Sequence, residues 1–299
     1  MMVDGFTYVR NGFAMGYPFL ASIRSVLPFV NQMIVVVGNS TDGTREAVLN
    51  LNSEKITIVD SVWDEEKRKS GEIFREQSDI GIGYLKGDWA FHIQADEVLM
   101  EDVGAKIIKF IELADKMERV DGLLFPFLHF WGDYNHIRHT RKTNAFEIRA
   151  FKNHRNVRSY RDSQGFRIFD PLSGNSKGKK LRVLKTDIPI FHYSYTRPPK
   201  LMSKKCNYFE RFYHSDEWLE SHARKEDFDF NKVDRLTEYN GPHPVYMKET
   251  IQNKDWEFHY DPSKSNMRLK DRLMYPVEKY FGYRMFEYRN YIIENLPVQ

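Results

Sequence analysis

The sequence predicts an α/β fold in which helices flank a mostly parallel sheet. Four short apolar runs, separated by helical patterns, occur in the first hundred of the 299 residues: 6–9, 33–37, 56–59 and 89–93. Such a β-α-β-α-β order implies parallel strands joined by right-handed crossovers.

The first strands and helices follow from local patterns, taken in chain order. Phe19, Ile23 and Leu27 lie four residues apart, which is typical of one apolar face of a helix between the first two strands. The run MIVVV, residues 33–37, is continuously apolar, as expected of a strand buried on both faces. Asp42 is a good N-cap for the next helix, in DGTREAVLNL.

Beyond residue 100 the regular patterns are more widely spaced. AKIIKFIELADKM is typical of an amphipathic helix, and GLLFPFLHF and IPIFHYSY are strand candidates. The stretch PLSGNSKGKK, residues 171–180, predicts a loop. We expect one main domain over residues 1–199 and a helical C-terminal extension over residues 200–299, packed on the core.

Composition excludes several classes of partner. Lys and Arg number 45 against 42 Asp and Glu, a formal charge of +3, which argues against a nucleic-acid coat or a polybasic membrane anchor. The single cysteine, Cys206, allows no disulfide within the chain and no cysteine metal cluster. The N-terminal residues do not resemble a signal peptide, and no apolar run approaches the roughly 20 residues of a membrane span. We therefore expect a cytoplasmic protein, with peripheral attachment to the inner face of the membrane left open.

Polar residues follow each of the first four predicted strands. They are Arg10 and Asn11, the stretch GNSTDGT from Gly38, Asp60 with the nearby Asp64, and the stretch QADE, which contains Gln94, Asp96 and Glu97. In open α/β sheets, ligands bind outside the carboxyl ends of the strands. The sequence therefore predicts that these side chains share one ligand crevice.

The two acids that follow the fourth strand suit a metal site. Hard cations that bridge phosphates take oxygen ligands and few protein carboxylates. GNSTDGT, GIGYLKG and GNSKGKK all lack the spacing of a nucleotide fingerprint. His129, His136 and His139 have no ligand spacing, and we expect them at the surface or on the acceptor side. His192 differs, because it lies on an apolar strand candidate ahead of several cations.

Taken together, these features resemble family-2 glycosyltransferases of the A-type, Rossmann-like fold. The resemblance runs through YVRNG, SIRSVLPFVNQMIVVVGNSTDGT, KITIVDSVWD and GDWAFHIQADEVL, and continues through SYRDSQGFR, GKKLRVLKTDIPIFHYSYTRPPKLMSKK and GPHPVYM. The later stretches are similar to an uncharacterised, soluble bacterial branch. The resemblance to this family implies that residues 1–199 are a catalytic domain. This domain would transfer a sugar from a nucleotide-diphosphate donor, with inversion.

The resemblance also implies the ligands of the donor. The family's Asp-x-Asp metal motif stands here as Gln94-Ala95-Asp96, so Asp96 and the late His192 are the expected ligands of a divalent cation, Mn or Mg. Gly38 and Asn39 stand where the family often carries an acid that reads uracil, which argues against uridine as the donor base. The implied donor-binding residues are Arg10, Asn11, Gly38, Asn39, Asp42, Asp64, Gln94, Arg197, Lys200 and Lys204.

An inverting transfer needs a general base that deprotonates the acceptor hydroxyl. Two carboxylates compete for this role: Asp162, which precedes the His192 strand as the family's base does, and Glu147, which lies beside Arg149. Trp131 and Tyr134 are candidates to stack on acceptor sugars, or to pack in the core.

The expected function is thus glycosyl transfer in polysaccharide biosynthesis, to a glycan or a lipid-linked saccharide. The alternatives are a nucleotidyltransferase, for which RNGFAMGYP is a poor phosphate loop, and a non-catalytic sugar-binding relative.

Overall fold

The structure, a computed structural model, describes residues 1–64, 66–67, 71–153, 156–170, 172, 176–281, 284 and 287–295. Part of the predicted loop at 171–180 lies outside the described residues, namely 171 and 173–175.

The first four strands follow the predicted order, and further strands come later in the chain. Their bounds are β1 Val3–Val9, β2 Gln32–Val37, β3 Ile56–Asp60, β4 Trp89–His92, β5 Glu97–Val98, β6 Gly122–Trp131, β7 His136–Ile137, β8 Phe146–Lys152, β9 Val157–Ser159, β10 Phe166–Ile168, β11 Lys179–Lys185, β12 Ile190–Tyr195, β13 Thr237–Glu238 and β14 Tyr291–Ile293.

The helices lie between these strands and in the C-terminal third of the chain. Their bounds are α1 Phe19–Val26, α2 Thr44–Leu49, α3 Glu72–Gly83, α4 Gly104–Asp115, α5 Pro199–Glu210, α6 Asp216–His222, α7 Lys248–Gln252 and α8 Leu269–Phe281, with short 3-10 helices at Val245–Met247 and Pro262–Lys264.

The predicted fold class is confirmed by the sheet. Strands β3, β2, β1 and β4 are adjacent and parallel in that order. Antiparallel strand β8 separates β4 from β6, which therefore runs in the direction of β4, and β11 and β12 pair with β6 in parallel. The buried strands β2 and β4 are apolar because helices cover both faces of this part of the sheet.

One helix start differs from the prediction. Helix α2 begins at Thr44, and Gly43, with φ of 82°, occupies its N-cap position. Asp42 still acts at this end, because its carboxylate accepts hydrogen bonds from the Thr44 N–H and hydroxyl and from the Ala14 N–H. It thereby ties the loop after β1 to the loop after β2.

The chain after residue 199 contains helices α5 to α8 and also two short strands. β13 pairs with β7, and β14 joins β11 in parallel, so this segment contributes to the sheet as well as to its helical cover. The division at residue 199 stays a prediction. No helix among the described residues is long and apolar enough to cross a bilayer.

Candidate active site

A cavity of about 270 Å³ lies where β1, β4 and β12 end. Because these strands run in one direction, their carboxyl ends reach the same edge of the sheet. Several of the predicted residues line the cavity: Arg10, Gln94, Asp96, Asp162 and His192. Lys205, which follows the predicted cations Arg197, Lys200 and Lys204, also lines it.

Asp96 lies at the centre of this group because of the short strand β5. β5 pairs antiparallel with β12 so that His192 faces Glu97, and the Tyr193 N–H donates to the Asp96 carbonyl at 2.8 Å. Asp96 Oδ1 then lies 3.6 Å from His192 Nε2, and Oδ2 lies 3.5 Å from Lys205 Nζ. Burial alone would raise the pKa of Asp96, but His192, Lys205 and Arg197 together hold it well below its usual range.

Lys205 is the buried cation of the cavity. Its ammonium donates to the carbonyl and the hydroxyl of Ser194, at 3.1 and 2.8 Å. Burial and the neighbouring Arg197 lower the pKa of Lys205 to about 7, although Asp96 acts in the opposite direction. A bound diphosphate would stabilise the charged form of this amine, because opposite charge favours ionisation.

His192 belongs to a chain of hydrogen bonds that leads away from Asp96. Its Nδ1 lies 2.7 Å from Nδ1 of His129, and Nε2 of His129 lies 2.7 Å from the Asn144 carbonyl oxygen. Burial, and then the proximity of His192, lower the pKa of His129 to about 3, so its ring is neutral. Strand pairing sets His129, half-buried, beside His192, and a role of His129 on the acceptor side stays a prediction.

Glu97, the second acid of QADE, has a structural role. Both of its oxygens accept hydrogen bonds from Arg149, at 2.6 and 2.8 Å, and both side chains are buried. The same carboxylate accepts from the Gln94 N–H at 3.1 Å. The pair therefore fixes the turn that presents Gln94 and Asp96 to the cavity.

Asp162 is the candidate base that lines the cavity. Its Oδ2 accepts a hydrogen bond from the Tyr213 hydroxyl at 2.9 Å, and its buried Oδ1 has no partner among the described residues. Its neighbours Arg161 and Ser163 have φ of 55° and 65°, a left-handed backbone that costs energy in non-glycine residues. This strained loop holds a carboxylate with one oxygen that has no hydrogen-bond partner in the described part of the chain.

Glu147, the rival candidate, does not line this cavity. It borders a smaller cavity of about 100 Å³ near Asn290, and its Oε1 accepts a hydrogen bond from Asn144 at 2.5 Å. Burial raises the pKa of Glu147, with Arg149 acting in the opposite direction. Its other oxygen lies 3.9 Å from Arg149, as expected of the structural alternative.

Arg10 packs against the aromatic wall of the cavity, a set of rings that the sequence patterns did not predict. Its guanidinium donates to the Tyr208 hydroxyl at 2.7 Å and lies 5.8 Å from the ring centroid of Trp63. Phe74, Phe209 and other rings complete the wall. The aromatic run NYFERFY, which begins on α5 and continues past its end, was the available signal, but only the tertiary fold brings it over the strand ends.

The remaining predicted donor residues after the first three strands lie off the cavity. Asn11 accepts from the Thr41 N–H at 2.9 Å, and Asn39 accepts from the Trp63 N–H at 3.3 Å. Asp64 is exposed and accepts from the Glu66 N–H within a turn. Gly38 has a packing role, since a Cβ there would lie 2.7 Å from Trp63 Nε1. These residues shape the loops around the crevice.

The predicted cations after β12 are divided by the structure. Arg197 is buried and donates to the carbonyls of Met15 and Tyr193, so it acts on Asp96 only through its charge. Lys200 and Lys204 are exposed on α5 and do not line the cavity. Lys205, the next residue, is the one whose ammonium enters it.

Trp131 and Tyr134 pack in the core, so the acceptor-stacking alternative is not supported. Trp131 is 5% exposed and stacks on Tyr195 at 4.1 Å, with Arg138 over its ring at 4.7 Å. Tyr134 is 4% exposed and packs against Tyr193. Neither ring offers a face to a sugar.

Asp96 and His192 fit a divalent cation for which the protein supplies only some of the ligands. Atoms that each lie about 2.1 Å from one metal ion are themselves about 3–3.4 Å apart, slightly less than the 3.6 Å between Asp96 Oδ1 and His192 Nε2. The described residues contain no group of three or more Asp, Glu, His or Cys side chains that could hold a metal. The two ligands would therefore need phosphate or water oxygens as partners, as magnesium sites often do.

Comparisons with known proteins give likenesses in three-dimensional structure alone. No protein-family model matches the chain, and no curated protein does. S. aureus TarS 1–349 in complex with UDP-GlcNAc is 9% identical, with 71% of this chain and 66% of that chain covered and a TM-score of 0.39. The same protein with UDP is 11% identical, with 52% and 48% covered and a TM-score of 0.32.

A second solved enzyme is similar to a comparable degree. Glucosyl-3-phosphoglycerate synthase from Mycobacterium tuberculosis, in complex with Mn²⁺, UDP and phosphoglyceric acid, is 16% identical, with 43% of each chain covered and a TM-score of 0.29. The chain matches less than half the length of this enzyme and of the TarS–UDP structure. The fold class rests on the strand order and pairing described above.

Proposed function

We propose that the chain is an inverting, A-type glycosyltransferase of family 2 that uses a nucleotide-diphosphate sugar. The observation that carries this proposal is the meeting of Asp96, His192, Lys205 and Asp162 in one cavity at the carboxyl ends of the strands. This set supplies charge for a leaving diphosphate and a separate carboxylate for the acceptor, which are the two requirements of the reaction.

The acceptor half of the reaction is assigned to Asp162. Its Oδ1, which has no hydrogen-bond partner in the described ranges, takes the proton of the acceptor hydroxyl as the acceptor oxygen bonds to the anomeric carbon. The bond from that carbon to the diphosphate oxygen breaks at the same time, and its electron pair leaves with the diphosphate. Tyr213 holds Asp162 in position through its other oxygen.

The donor half is assigned to other residues that line the same cavity. Lys205 and Arg10 are the cations that line it, and positive charge there stabilises the negative charge that develops on the diphosphate. Asp96 and His192 would hold a divalent cation, Mn or Mg, which supplies further positive charge at the diphosphate. Gln94 lines the cavity beside them and can donate to the donor.

The proposed acceptor is a glycan or a lipid-linked saccharide, and the proposed location is the inner face of the membrane. Leu269, Leu273 and Tyr280 on α8 are 79%, 78% and 75% exposed and lie on one side of the helix. The exposed cations Arg268, Lys270 and Arg272 flank them. An apolar stripe edged by cations suits an anionic lipid surface.

The direct test is a panel of nucleotide sugars, measured by thermal stabilisation of the full chain with and without Mn²⁺ or Mg²⁺. We expect one diphosphate sugar to raise the melting temperature more strongly with the metal, because ligands that bind only the folded state stabilise it. Asp96→Ala should lose the metal-dependent part. Stabilisation by a nucleoside triphosphate alone would favour a nucleotidyltransferase, and sugar binding without transfer to any acceptor would favour the non-catalytic relative.

A further inference from the structure

A further cavity, of about 430 Å³, lies between helix α8 and the chain around residues 235 and 260–267. None of the residues that line the candidate active site lines this one. The proposed transfer reaction therefore gives it no role. Its polar lining includes Arg235, Tyr260, Ser263, Arg272 and Tyr275.

Two arginines give this cavity a positive charge. The Arg235 guanidinium lies over the ring of Tyr275, 4.6 Å from the ring centroid. Arg272 comes three residues before Tyr275 on α8, so these two side chains are neighbours on the surface of the helix. No carboxylate of the described residues lines the cavity, so the charge of its lining is positive.

Two acids close to these segments in the sequence have cations of their own. Asp234 is buried and pairs with Arg138 at 2.7 Å. Asp261 lies 3.3 Å from Lys264. These pairs leave the positive charge of the cavity for a ligand to neutralise.

The donors in the cavity suit a terminal phosphate. Arginine binds phosphate through two parallel N–H bonds, and two arginines line the cavity. The Tyr260 hydroxyl accepts from the Leu236 N–H at 3.2 Å, and a hydroxyl that accepts can still donate. A phosphate monoester offers three acceptor oxygens and nearly two negative charges. A phosphodiester, with two ester oxygens, offers fewer free oxygens and less charge.

The surface beside the cavity is apolar. Successive residues of a helix are turned by about 100°, because 3.6 residues make one turn. Leu269, Leu273 and Tyr280 thus form the exposed stripe, Arg272 lies about 60° to one side of Leu269, and Tyr275 lies about 60° further round. Arg272 therefore separates the stripe from the cavity, an order that fits a ligand with a hydrocarbon part and an anionic end.

We propose that this cavity binds the terminal phosphate of a membrane lipid while the stripe of α8 contacts the hydrocarbon of the bilayer. This inference rests on the proposed location at the membrane and concerns a site separate from the reaction. A lipid is favoured over a free phosphorylated molecule, because the stripe beside the cavity is apolar and exposed. The lipid phosphate would hold α8 in one orientation on the membrane.

The test compares two vesicles that differ in the type of phosphate. Phosphatidylcholine vesicles contain either phosphatidic acid, a monoester, or phosphatidylglycerol, a diester, in amounts that give equal zeta potentials. Co-sedimentation measures the affinity of the full chain for each. We expect the native chain to bind the phosphatidic acid vesicles about tenfold or more tightly than the others, as a hydrogen-bonded charge pair would give.

The variants Arg235→Gln and Arg272→Gln should lose this preference, each by about tenfold. Lys270→Gln is the matched control, because Lys270 is exposed on the same helix and does not line the cavity. It should weaken binding to both vesicles alike, by about fivefold or less, and keep the preference. Circular dichroism and melting temperatures should show that all three variants are folded, because the replaced side chains are exposed.

Two results would overturn the proposal. One is equal affinity of the native chain for the two vesicles, or a preference that Lys270→Gln loses as fully as the arginine variants do. The other is calorimetric binding of glycerol 3-phosphate, without vesicles, as tight as binding to phosphatidic acid vesicles. That result would assign the cavity to a free phosphorylated molecule.

These readouts do not depend on a sugar donor. A chain that prefers phosphatidic acid through the two arginines but transfers no sugar would refute the transferase proposal and leave the lipid site supported. A chain that transfers sugar but shows no such preference would refute the lipid site alone.

Discussion

At the scale of single residues, Asp162 and Glu147 are alike in chemistry and different in surroundings. Asp162 lines the main cavity, and its Oδ1 has no partner among the residues that the structure describes, whereas Glu147 accepts a hydrogen bond from Asn144 and lines another cavity. Asp162→Asn keeps the shape and removes the proton acceptor. We expect donor binding to be nearly unchanged and turnover to fall about 10²–10⁴-fold, the usual contribution of a general base.

Glu147→Gln is the matched control for that experiment. It should leave turnover within a small factor of the native value, because Glu147 does not reach the cavity. Transfer rates and donor affinities of both variants are compared with one acceptor. If Glu147→Gln abolishes transfer and Asp162→Asn does not, the assignment of the base is wrong.

Cys206 gives a second prediction at this scale. Burial raises the pKa of its thiol, although Arg224 and Lys205 act in the opposite direction. The thiolate is the reactive form, so iodoacetamide should modify the folded chain more than about tenfold more slowly than the denatured chain at pH 7.5, and faster as the pH rises. Mass spectrometry over time measures both rates. Equal rates in the two states would show that the thiol is accessible and not perturbed.

At the scale of elements, the turn between β4 and β5 depends on the buried Glu97–Arg149 pair. Arg149→Met leaves a buried, uncompensated carboxylate, which should lower the free energy of unfolding by about 3–5 kcal/mol. The double variant Glu97→Gln, Arg149→Met should recover part of that loss. Urea unfolding monitored by circular dichroism measures all three proteins.

An exposed pair provides the control for this measurement. Arg45 and Asp60 are joined at 2.7 Å, but both are largely in water, so Arg45→Met should change stability little. A loss at Arg45 equal to the loss at Arg149 would contradict the view that burial makes the Glu97 pair important.

The sequence predicted the helices and strands better than it predicted which distant residues contact one another. Strands β1 to β4 and helix α1 follow from local apolar patterns, and the structure confirms them. The approach of His192 to Asp96 depends on the pairing of β12 with β5, and the aromatic wall depends on α5 folding back over the strand ends. Such contacts join residues that are roughly one hundred to two hundred positions apart, which no local periodicity encodes.

The burial of particular aromatic residues could not be predicted from the sequence either. Trp131 stands at the end of β6, where a stacking role and a packing role give the same local pattern. The structure places Phe228 and Phe230, almost a hundred residues later, against its ring. Only this long-range packing separates the two alternatives.

At the scale of the whole molecule, the exposed side of helix α8 predicts binding to an anionic lipid surface. The full chain should sediment with phosphatidylglycerol vesicles more than with phosphatidylcholine vesicles, because the exposed cations beside Leu269 and Leu273 favour anionic lipid. Leu269→Glu with Leu273→Glu should lower the bound fraction about tenfold.

Leu49→Glu is the control, because Leu49 is 60% exposed on α2, away from this stripe. Binding that both variants lose equally would reflect a general effect of added charge. If the native chain binds neither the phosphatidylglycerol nor the phosphatidylcholine vesicles and self-associates in gel filtration, the lipid proposal is wrong. The apolar stripe on α8 then contacts a second copy of the chain.

The two halves of the proposed reaction are carried by different pieces of chain. Asp96 lies in the turn just before β5 and His192 lies on β12, which pairs with β5. Asp162 lies in the loop between β9 and β10, at the far end of the strand order. Surface loops tolerate change better than the strands they join. Evolution can therefore remodel the β9–β10 loop, and with it the choice of acceptor, while the donor chemistry is inherited intact. Relatives that share this sheet can be expected to diverge first in the molecules they modify.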